Sequence, residues 1–427
     1  MSSAEFFIRM GHVLAVLCGV LLVVAAGRFA ARKAHQPEVV GELTAGLLAG
    51  PAAVWLLGHD TFDAVVPKEV LSVLKLTAQA GLVLFLVGLT HELRSGAPAR
   101  MGRAAAWVSA GALVPALGTG ALLAGWVLLT GDEAVRGTAP TAALVLVLAV
   151  SLSVTAVPVL ARILTDRGMF DTGAGRLSLT AALVTDCVSW LLLSVAVGLG
   201  SGSLAGFLRA MATFVCGVLV AALLRLVLRK RVAEVLCRRP WVPVLLTAGI
   251  AMGMAAAMEH LGMTAILGAA LAGLAVPVTD GWESAVARVS RAGRALVPVF
   301  FVVTGITVLT AGFGSAPITL IGAALVLGIA GKTVGGYAGA RLGGQGHWDA
   351  LRIGSLMNTR GLTELIVLHA AYEAGLLTAP LFLALVVMAL VTTAMTGPAL
   401  LAVDRAEMRH RQTALSPHTV RKGDGVR

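Results

Sequence analysis

The sequence predicts an all-α polytopic membrane protein with about 13 transmembrane helices. Of its 427 residues, 58% are apolar and only 13% are charged, about half the charged share of an ordinary soluble domain. Apolar runs of roughly 20 residues, the length that a helix needs to cross a bilayer, recur along almost the whole chain. Basic residues are concentrated in alternate loops between these runs. Together these features exclude a soluble globular enzyme, a disordered chain and a secreted disulfide scaffold.

The apolar runs divide most of the chain into thirteen predicted spans. They cover residues 11–30, 38–57, 70–91, 104–130, 138–162, 174–199, 204–226, 241–259, 262–278, 295–311, 316–341, 350–374 and 378–402. We therefore assign residues 1–403 to a transmembrane domain. Only about 25 polar residues follow Leu401, too few for a core, and we expect residues 404–427 to form a disordered, basic cytoplasmic tail.

The loops between the spans alternate in charge. Loops after odd-numbered spans hold most of the 33 basic residues, beginning with Arg28, Arg32 and Lys33. Loops after even-numbered spans are neutral or acidic, as at His59 and Asp60. Because Lys and Arg are retained on the cytoplasmic side, this pattern predicts a cell-membrane protein with its N-terminus outside and its C-terminus in the cytoplasm. It also accounts for the formal net charge of +11 without a nucleic-acid partner.

Two spans that lie seven positions apart in the order resemble each other. Leu43–Pro51 in span two and Leu267–Pro277 in span nine are both short, rich in small residues and closed by proline. An odd offset reverses the direction in which a segment crosses the membrane, which is typical of the inverted repeats of secondary transporters. The pattern pairs a first repeat, 11–199, with a second, 241–402, and leaves 204–226 as a linker helix.

The repeat pairs span five with span twelve, and both are interrupted. Span five contains Ser151–Pro158, in which Ser and Thr side chains can hydrogen-bond back to the helix and proline removes a backbone donor. Span twelve contains Met357–Gly361, with an arginine and a glycine at mid-depth. Interrupted helices in corresponding positions of two repeats indicate a transport site.

Four ionisable side chains lie deep inside predicted spans, where a charge costs at least ~3 kcal/mol and therefore suggests function. Asp186 in span six has no basic residue within a turn, and we expect it to bind an ion or a proton. Lys332 in span eleven is flanked on both sides by apolar and small residues, too deep to reach the membrane surface. Arg360 and Glu364 lie four residues apart on one helix face, so we expect them to pair and to support the fold.

The sequence contains no motif for covalent or metal chemistry. The 4 cysteines have no CxxC spacing, the 9 histidines have no HExxH spacing, and no GxSxG nucleophile motif occurs. We therefore expect no enzyme activity, no cofactor and no metal beyond a transported monovalent cation.

Five stretches resemble the monovalent cation:proton antiporter-2 family. They are Gly41–Pro51, Leu84–Glu92, Ser153–Gly168, Met357–Leu365 and Thr392–Pro398. The resemblance implies two broken helices that cross, a homodimer in the lipid bilayer held by a separate panel of helices, and exchange of Na⁺ or K⁺ for H⁺.

The resemblance also implies roles for individual residues. Asp186 corresponds to the aspartate that binds the ion and carries the proton, and Thr155 to the break of the fifth helix, where a hydroxyl faces the cation. Lys332 corresponds to the buried lysine of the eleventh helix. Thr185 stands where many members carry a first aspartate that pairs with this lysine. If Lys332 stays charged beside this one carboxylate, exchange is one-for-one and electroneutral, which is our expectation. If Lys332 gives up its proton when the cation binds, two protons move per cation and transport is electrogenic.

We interpret the chain as a secondary active transporter in which Asp186 binds either a monovalent cation or a proton. Two alternatives stay open: a potassium efflux channel gated by a partner, and an exporter of an organic ion on the same scaffold. Thr185 keeps the second alternative open, because the family's first aspartate is missing. Na⁺ and K⁺ are both hard cations bound by oxygen, so the choice between them depends on the geometry of the site.

Overall fold

The computed structural model describes residues 3–34, 36–58, 67–95, 100–202, 205–228, 241–309 and 316–415, together with residues 61 and 239. Within these ranges every regular element is an α-helix, which confirms the predicted all-α class. The helices are α1 Ser3–Lys33, α2 Glu38–Leu57, α3 Lys68–Ser95, α4 Arg100–Thr130, α5 Glu133–Arg136, α6 Thr141–Ser153, α7 Val157–Asp166, α8 Gly173–Ser201, α9 Ala205–Leu228, α10 Val242–His260, α11 Ala265–Ala275, α12 Asp280–Leu309, α13 Ile318–Leu342, α14 His347–Met357, α15 Leu362–Glu373 and α16 Ala379–Leu415.

Two of the predicted spans coincide with pairs of half-helices rather than with one helix. Span five consists of α6 and α7, separated by residues 154–156. Span twelve consists of α14 and α15, separated by residues 358–361. Both predicted interruptions are therefore confirmed, and they fall at corresponding positions of the two predicted repeats.

Ten helical stretches among the described residues are long and apolar enough to cross a membrane. The total of thirteen spans stays a prediction, since α11, α12 and the pair α14–α15 are not among those ten. Helix α12 begins at Asp280, well before the predicted start at 295. The Arg-containing stretch that precedes the apolar run is part of the same helix.

The last helix, α16, continues past the predicted end of the transmembrane domain. Residues 404–415, which we expected to belong to a disordered tail, are helical, so that part of the prediction is wrong. The physical reason is a long-range contact: Arg352 of α14 lies 2.7 Å from Asp404 and also pairs with Glu407, which ties the extension to the helix bundle. Residues 416–427 lie outside the described residues.

Helices α4 and α13 approach each other closely through glycines. A Cβ atom on Gly111 would lie 2.5 Å from the carbonyl oxygen of Gly335, and one on Gly331 would lie 2.4 Å from the hydroxyl oxygen of Thr119. Small residues allow this approach, which stabilises helix pairs in lipid through van der Waals packing. The contact positions Lys332, whose side chain is fully buried on the same helix.

Replacing Gly335 with Ala should therefore destabilise the protein. The new Cβ atom would lie 2.2 Å from the Gly111 carbonyl oxygen, and overpacking of this kind typically costs about 1–3 kcal/mol. We expect a lower midpoint in thermal unfolding of the detergent-solubilised protein. Gly322 of α13, where an added Cβ meets nothing within 4 Å, provides the matched control Gly322→Ala. Equal midpoints for the two variants would show that the α4–α13 approach is not under steric constraint.

Candidate functional site

The first interruption lies between α6 and α7. Val154 and Ala156 adopt extended backbone conformations, and Pro158 lies in the first turn of α7, where its missing N–H leaves no helical hydrogen bond unmade. The hydroxyls of Ser151 and Ser153 donate to carbonyl oxygens of their own helix, at 2.8 Å in both cases. Helix α6 therefore ends inside the protein, and Thr155 stands in the gap.

The second interruption lies between α14 and α15. Gly361 directly precedes α15 and has a φ of 151°, a conformation that glycine adopts much more readily than other residues. A Cβ atom at this position would lie 2.7 Å from Cγ2 of Val159 in α7. Glycine thus provides both the turn and the close approach of α15 to α7.

The two interruptions meet and satisfy each other's backbone groups. The Ala156 N–H donates to the carbonyl oxygen of Thr359 at 3.2 Å. The Thr155 hydroxyl donates to the carbonyl oxygen of Met357 at 3.3 Å. These contacts matter because no water is available in hydrocarbon to hydrogen-bond a freed backbone group. The broken helices thus cross as expected, at their non-helical residues.

Arg360 is fully buried and contacts the end of α6. Its Nη1 atom donates to the Ser151 carbonyl oxygen at 2.8 Å and to Glu364 Oε1 at 3.0 Å, and Nη2 donates to the Leu152 carbonyl oxygen at 2.6 Å. The guanidinium therefore caps free carbonyls at the negative end of a helix dipole. Sequence analysis suggested the partner Glu364 but not the two carbonyls, since backbone acceptors leave no signal in residue type.

Asp186 lies on α8 with 3% of its surface exposed, and its Oδ1 atom has no hydrogen-bond partner. The preceding Thr185 is fully buried, and its hydroxyl donates to the Ala182 carbonyl oxygen of its own helix at 3.0 Å. A buried carboxylate oxygen without a partner is rare in proteins and calls for a proton, an ion or a water. Asp186 thus offers a binding atom, whereas the hydroxyl hydrogen of Thr185 is already engaged.

Lys332 contacts the first interruption rather than the carboxylate. Its ammonium nitrogen donates to the Thr155 hydroxyl oxygen at 2.7 Å. Among the described residues no ion pair joins Lys332 to Asp186. Thr155 therefore accepts from the lysine while it donates to the Met357 carbonyl, a contact between α13, the α6–α7 gap and α14 that sequence analysis missed.

Three buried polar atoms in the α14–α15 gap and the first turn of α15 also belong to this region. Asn358 Oδ1, Thr363 Oγ1 and Glu364 Oε2 are buried and have no hydrogen-bond partner. Asn358 and Thr363 were not among the predicted site residues. The position of Asn358 at a predicted helix break was the one signal that could have indicated it. Asn side chains favour helix ends, where they can bond to groups outside the helix.

A second group of charges lies at the far end of α7 and was also missed. Glu42 is fully buried, and its Oε1 accepts from Arg28 Nε at 2.6 Å. Arg162 of α7 lies 3.5 Å from Glu38 and 3.2 Å from Asp166. These ion pairs connect α7 to α1 and α2.

Known proteins resemble this chain in sequence, and a solved structure resembles it in fold. The sequence model of the family "Sodium/hydrogen exchanger, transmembrane" matches residues 19–403. Cation/H(+) antiporter 17 of Arabidopsis thaliana is 32% identical over 402 residues, which are 91% of this chain and 48% of that protein. The Na(+)/H(+) antiporter NhaS4 of Synechocystis sp. is 29% identical over 401 residues, 90% of this chain and 96% of that protein. K(+)/H(+) antiporter 1 of Saccharomyces cerevisiae is 28% identical over 393 residues, 89% of this chain and 45% of that protein.

The chain thus spans about half the length of the Arabidopsis and yeast relatives, and nearly all of the cyanobacterial one. A solved structure, the sodium proton antiporter MjNhaP1 from Methanocaldococcus jannaschii, superimposes with a TM-score of 0.57 at 15% identity. The superposition covers 93% of this chain and 98% of that one. At this identity the likeness establishes the fold.

The contacts of Arg360 predict that it stabilises the fold. Arg360→Met strands the Glu364 carboxylate and two carbonyl oxygens, and breaking a buried pair in this way typically costs about 3–5 kcal/mol. Glu364→Gln removes the negative charge but keeps an amide oxygen that can accept from Nη1, and it leaves the two carbonyl contacts, so its effect should be smaller. The double variant should recover part of the loss of Arg360→Met, because it buries no unpaired charge.

Yield of monodisperse protein and the thermal midpoint in detergent measure these effects. Arg405→Met, at an exposed arginine of α16, serves as the control. If Arg360→Met folded like this control but lost its transport activity, Arg360 would belong to the binding site instead.

Proposed function

Because this chain belongs to the sodium/hydrogen exchanger family of transmembrane proteins, we propose that it exchanges a monovalent cation, Na⁺ or K⁺, for protons. The family match confirms the resemblance that the sequence motifs indicated. Similar proteins are named as antiporters of Na⁺ and of K⁺ with H⁺, which supports this substrate class. The observation that carries the proposal is the buried, partnerless Oδ1 of Asp186 on α8, the helix whose Ser189 hydroxyl oxygen lies 3.4 Å from that of Ser153 at the end of α6.

The coupling follows from competition at one carboxylate. Asp186 binds a proton or a partly dehydrated cation, and the two exclude each other because either one neutralises the same charge. The carboxylate of Asp186 is then neutralised in both loaded forms. A neutralised carboxylate can pass through the low-dielectric interior at a lower cost than a free one. The cation gradient or the proton gradient supplies the free energy, so the cycle needs no nucleotide and no redox cofactor.

Thr155 and Lys332 act in different states of this cycle. In this structure the Lys332 ammonium donates a hydrogen bond to the Thr155 hydroxyl oxygen. A cation bound to Thr155 as well would lie next to that ammonium, and like charges repel. We therefore propose that the Thr155 oxygen binds the cation in the cation-loaded state, in which Lys332 has moved away. In the cation-free state the same oxygen accepts the hydrogen bond from Lys332.

We propose a one-for-one, electroneutral exchange. Asp186 is the one carboxylate of its helix segment, since Thr185 carries no charge and its hydroxyl bonds to its own helix. Arg360 and Glu364 neutralise each other and stay with the fold. The net charge that crosses the membrane in each direction is then equal.

The protein is a multi-pass membrane protein. We propose that it resides in the cell membrane with its N-terminus outside and its C-terminus in the cytoplasm, which the distribution of basic loops supports. We also propose a homodimer surrounded by lipid, on the strength of the family resemblance. Helix α9 has a suitable apolar surface, with Leu208, Leu219 and Leu223 each more than 60% exposed.

Proton flux in proteoliposomes tests the exchange. With a pH-sensitive dye inside the vesicles, addition of Na⁺ or K⁺ should drive proton movement in the wild-type protein, and choline should not. Asp186→Asn keeps the shape of the side chain but cannot cycle a proton, so we expect the flux to fall at least ~100-fold. Asp171→Asn, at an aspartate whose side chain is 85% exposed, is the matched control.

The result also separates the alternatives. Cation-driven proton flux in Asp186→Asn would overturn the assignment of Asp186. Cation flux without proton movement in the wild type would indicate a channel, and proton flux driven by an organic ion alone would indicate an exporter of that ion.

Voltage dependence tests the stoichiometry. With a membrane potential set by valinomycin and K⁺, and with Na⁺ as substrate, an electroneutral exchanger should turn over at a rate that is nearly independent of the potential. A rate that changes steeply with the potential would mean that Lys332 also releases its proton. Thr185→Asp adds a second carboxylate next to Asp186, and we expect it to introduce voltage dependence in the same assay.

A further inference from the structure

A cavity of about 260 Å³ lies between α3, α8, α10, α11, α12 and α15. At one end it is lined by the exposed Lys75 and Glu259, and its lining also includes Thr363, which is fully buried. The cavity therefore leads from the surface into the region of the helix interruptions. By the distribution of basic loops, its exposed end faces outside.

Two residues that line the cavity each carry a buried polar atom with no hydrogen-bond partner. These atoms are the hydroxyl oxygen of Thr363 and the indole nitrogen of Trp190. Other buried threonine hydroxyls nearby are engaged: Thr392 and Thr393 donate to carbonyl oxygens of their own helix at 2.8 Å. A buried hydroxyl without a hydrogen-bond partner destabilises the fold unless a ligand or a water provides that partner.

Trp190 connects the cavity with the ion site. It follows Asp186 by four residues on α8, so the two side chains lie on the same helix face, one turn apart. Thr363 is adjacent in sequence to Glu364, whose Oε2 is also without a partner. The carboxylate of Glu364 offsets the positive end of α15 at this point, which makes the cavity wall suitable for a cation.

The two unpartnered atoms differ in chemistry. The Thr363 oxygen can coordinate a hard cation directly, as one ligand in place of a water. The Trp190 N–H is a donor only, so it cannot coordinate a cation, but it can donate to a water that the cation retains. The pair therefore suits a monovalent cation that has lost part of its hydration shell.

Resting on the proposed exchange function, we propose that the inner end of this cavity is a staging site for a partly hydrated monovalent cation. Thr363 Oγ1 binds the cation, and one retained water accepts a hydrogen bond from the Trp190 indole. The cation then moves one helical turn to Asp186 and exchanges its remaining waters for oxygens of the crossing. Because the cavity opens on one side, the site acts on cations that arrive from that side.

The sidedness provides the test. In oriented vesicles we expect Thr363→Val, which removes the oxygen and keeps the shape, to raise KM for the cation presented at the cavity face by about threefold to tenfold. The KM for the cation presented at the opposite face should stay at its wild-type value, and kcat for release toward the cavity face should fall, as the reversibility of the exchange requires. Thr363→Ser should retain the wild-type KM on both faces.

Two further variants complete the experiment. Trp190→Phe keeps an aromatic ring but loses the N–H, and it should raise the same KM by a smaller factor. Thr90→Val is the matched control, since Thr90 is equally buried but its hydroxyl donates to the Leu86 carbonyl oxygen at 3.0 Å. We expect no change in KM on either face for this control.

The outcomes separate this inference from the proposed function. If the wild type exchanges cations for protons and Asp186→Asn does not, but Thr363→Val has unchanged KM at the cavity face or equal changes at both faces, the staging site is wrong and the exchange function stands. If the wild type shows no cation-driven proton flux, the exchange function is wrong and the staging site with it.

Discussion

The interruption of two helices inside the membrane is the constraint on which the rest of the structure depends. A helix that stops in hydrocarbon leaves backbone donors and acceptors with no water to bind them. Here the two interruptions lie against each other, and Ala156 donates across the gap to Thr359. Arg360 completes the arrangement by donating to the carbonyl oxygens of Ser151 and Leu152. Two costly breaks in secondary structure thus become one polar centre, in which Glu364 of α15 balances the charge of Arg360.

The polar centre has a satisfied part and an unsatisfied part. The two Nη atoms of Arg360 donate to the surrounding carbonyl and carboxylate oxygens and hold the crossing together, whereas its Nε atom has no hydrogen-bond partner. Atoms left without partners include the oxygens of Asp186, Asn358 and Thr363. Oxygen ligands are what a hard monovalent cation requires, which is why we propose that such free oxygens bind the transported cation.

Ion pairs anchor the two broken helices at their ends, but to different neighbours. Arg162 of α7 lies within 3.5 Å of Glu38 in α2, whereas Arg352 of α14 contacts Asp404 in α16. The two broken helices are thus held to different neighbours, α7 to α2 and α14 to α16, by ion pairs between partly exposed side chains, which are individually weak.

The sequence by itself determined the class of protein and the positions of both interruptions. Each of these follows from local composition, because a bilayer demands long apolar helices and makes every mid-span charge, proline or glycine conspicuous. Asp186 was identifiable for this reason alone. Only the tertiary structure decided which groups meet: Lys332 bonds to Thr155 across 177 residues, and Arg360 binds backbone carbonyls. Such contacts depend on how helices pack and rotate, and carbonyl acceptors are the same in every residue. The helical extension of α16 has the same origin, because its ion pairs with α14 join residues far apart in the chain.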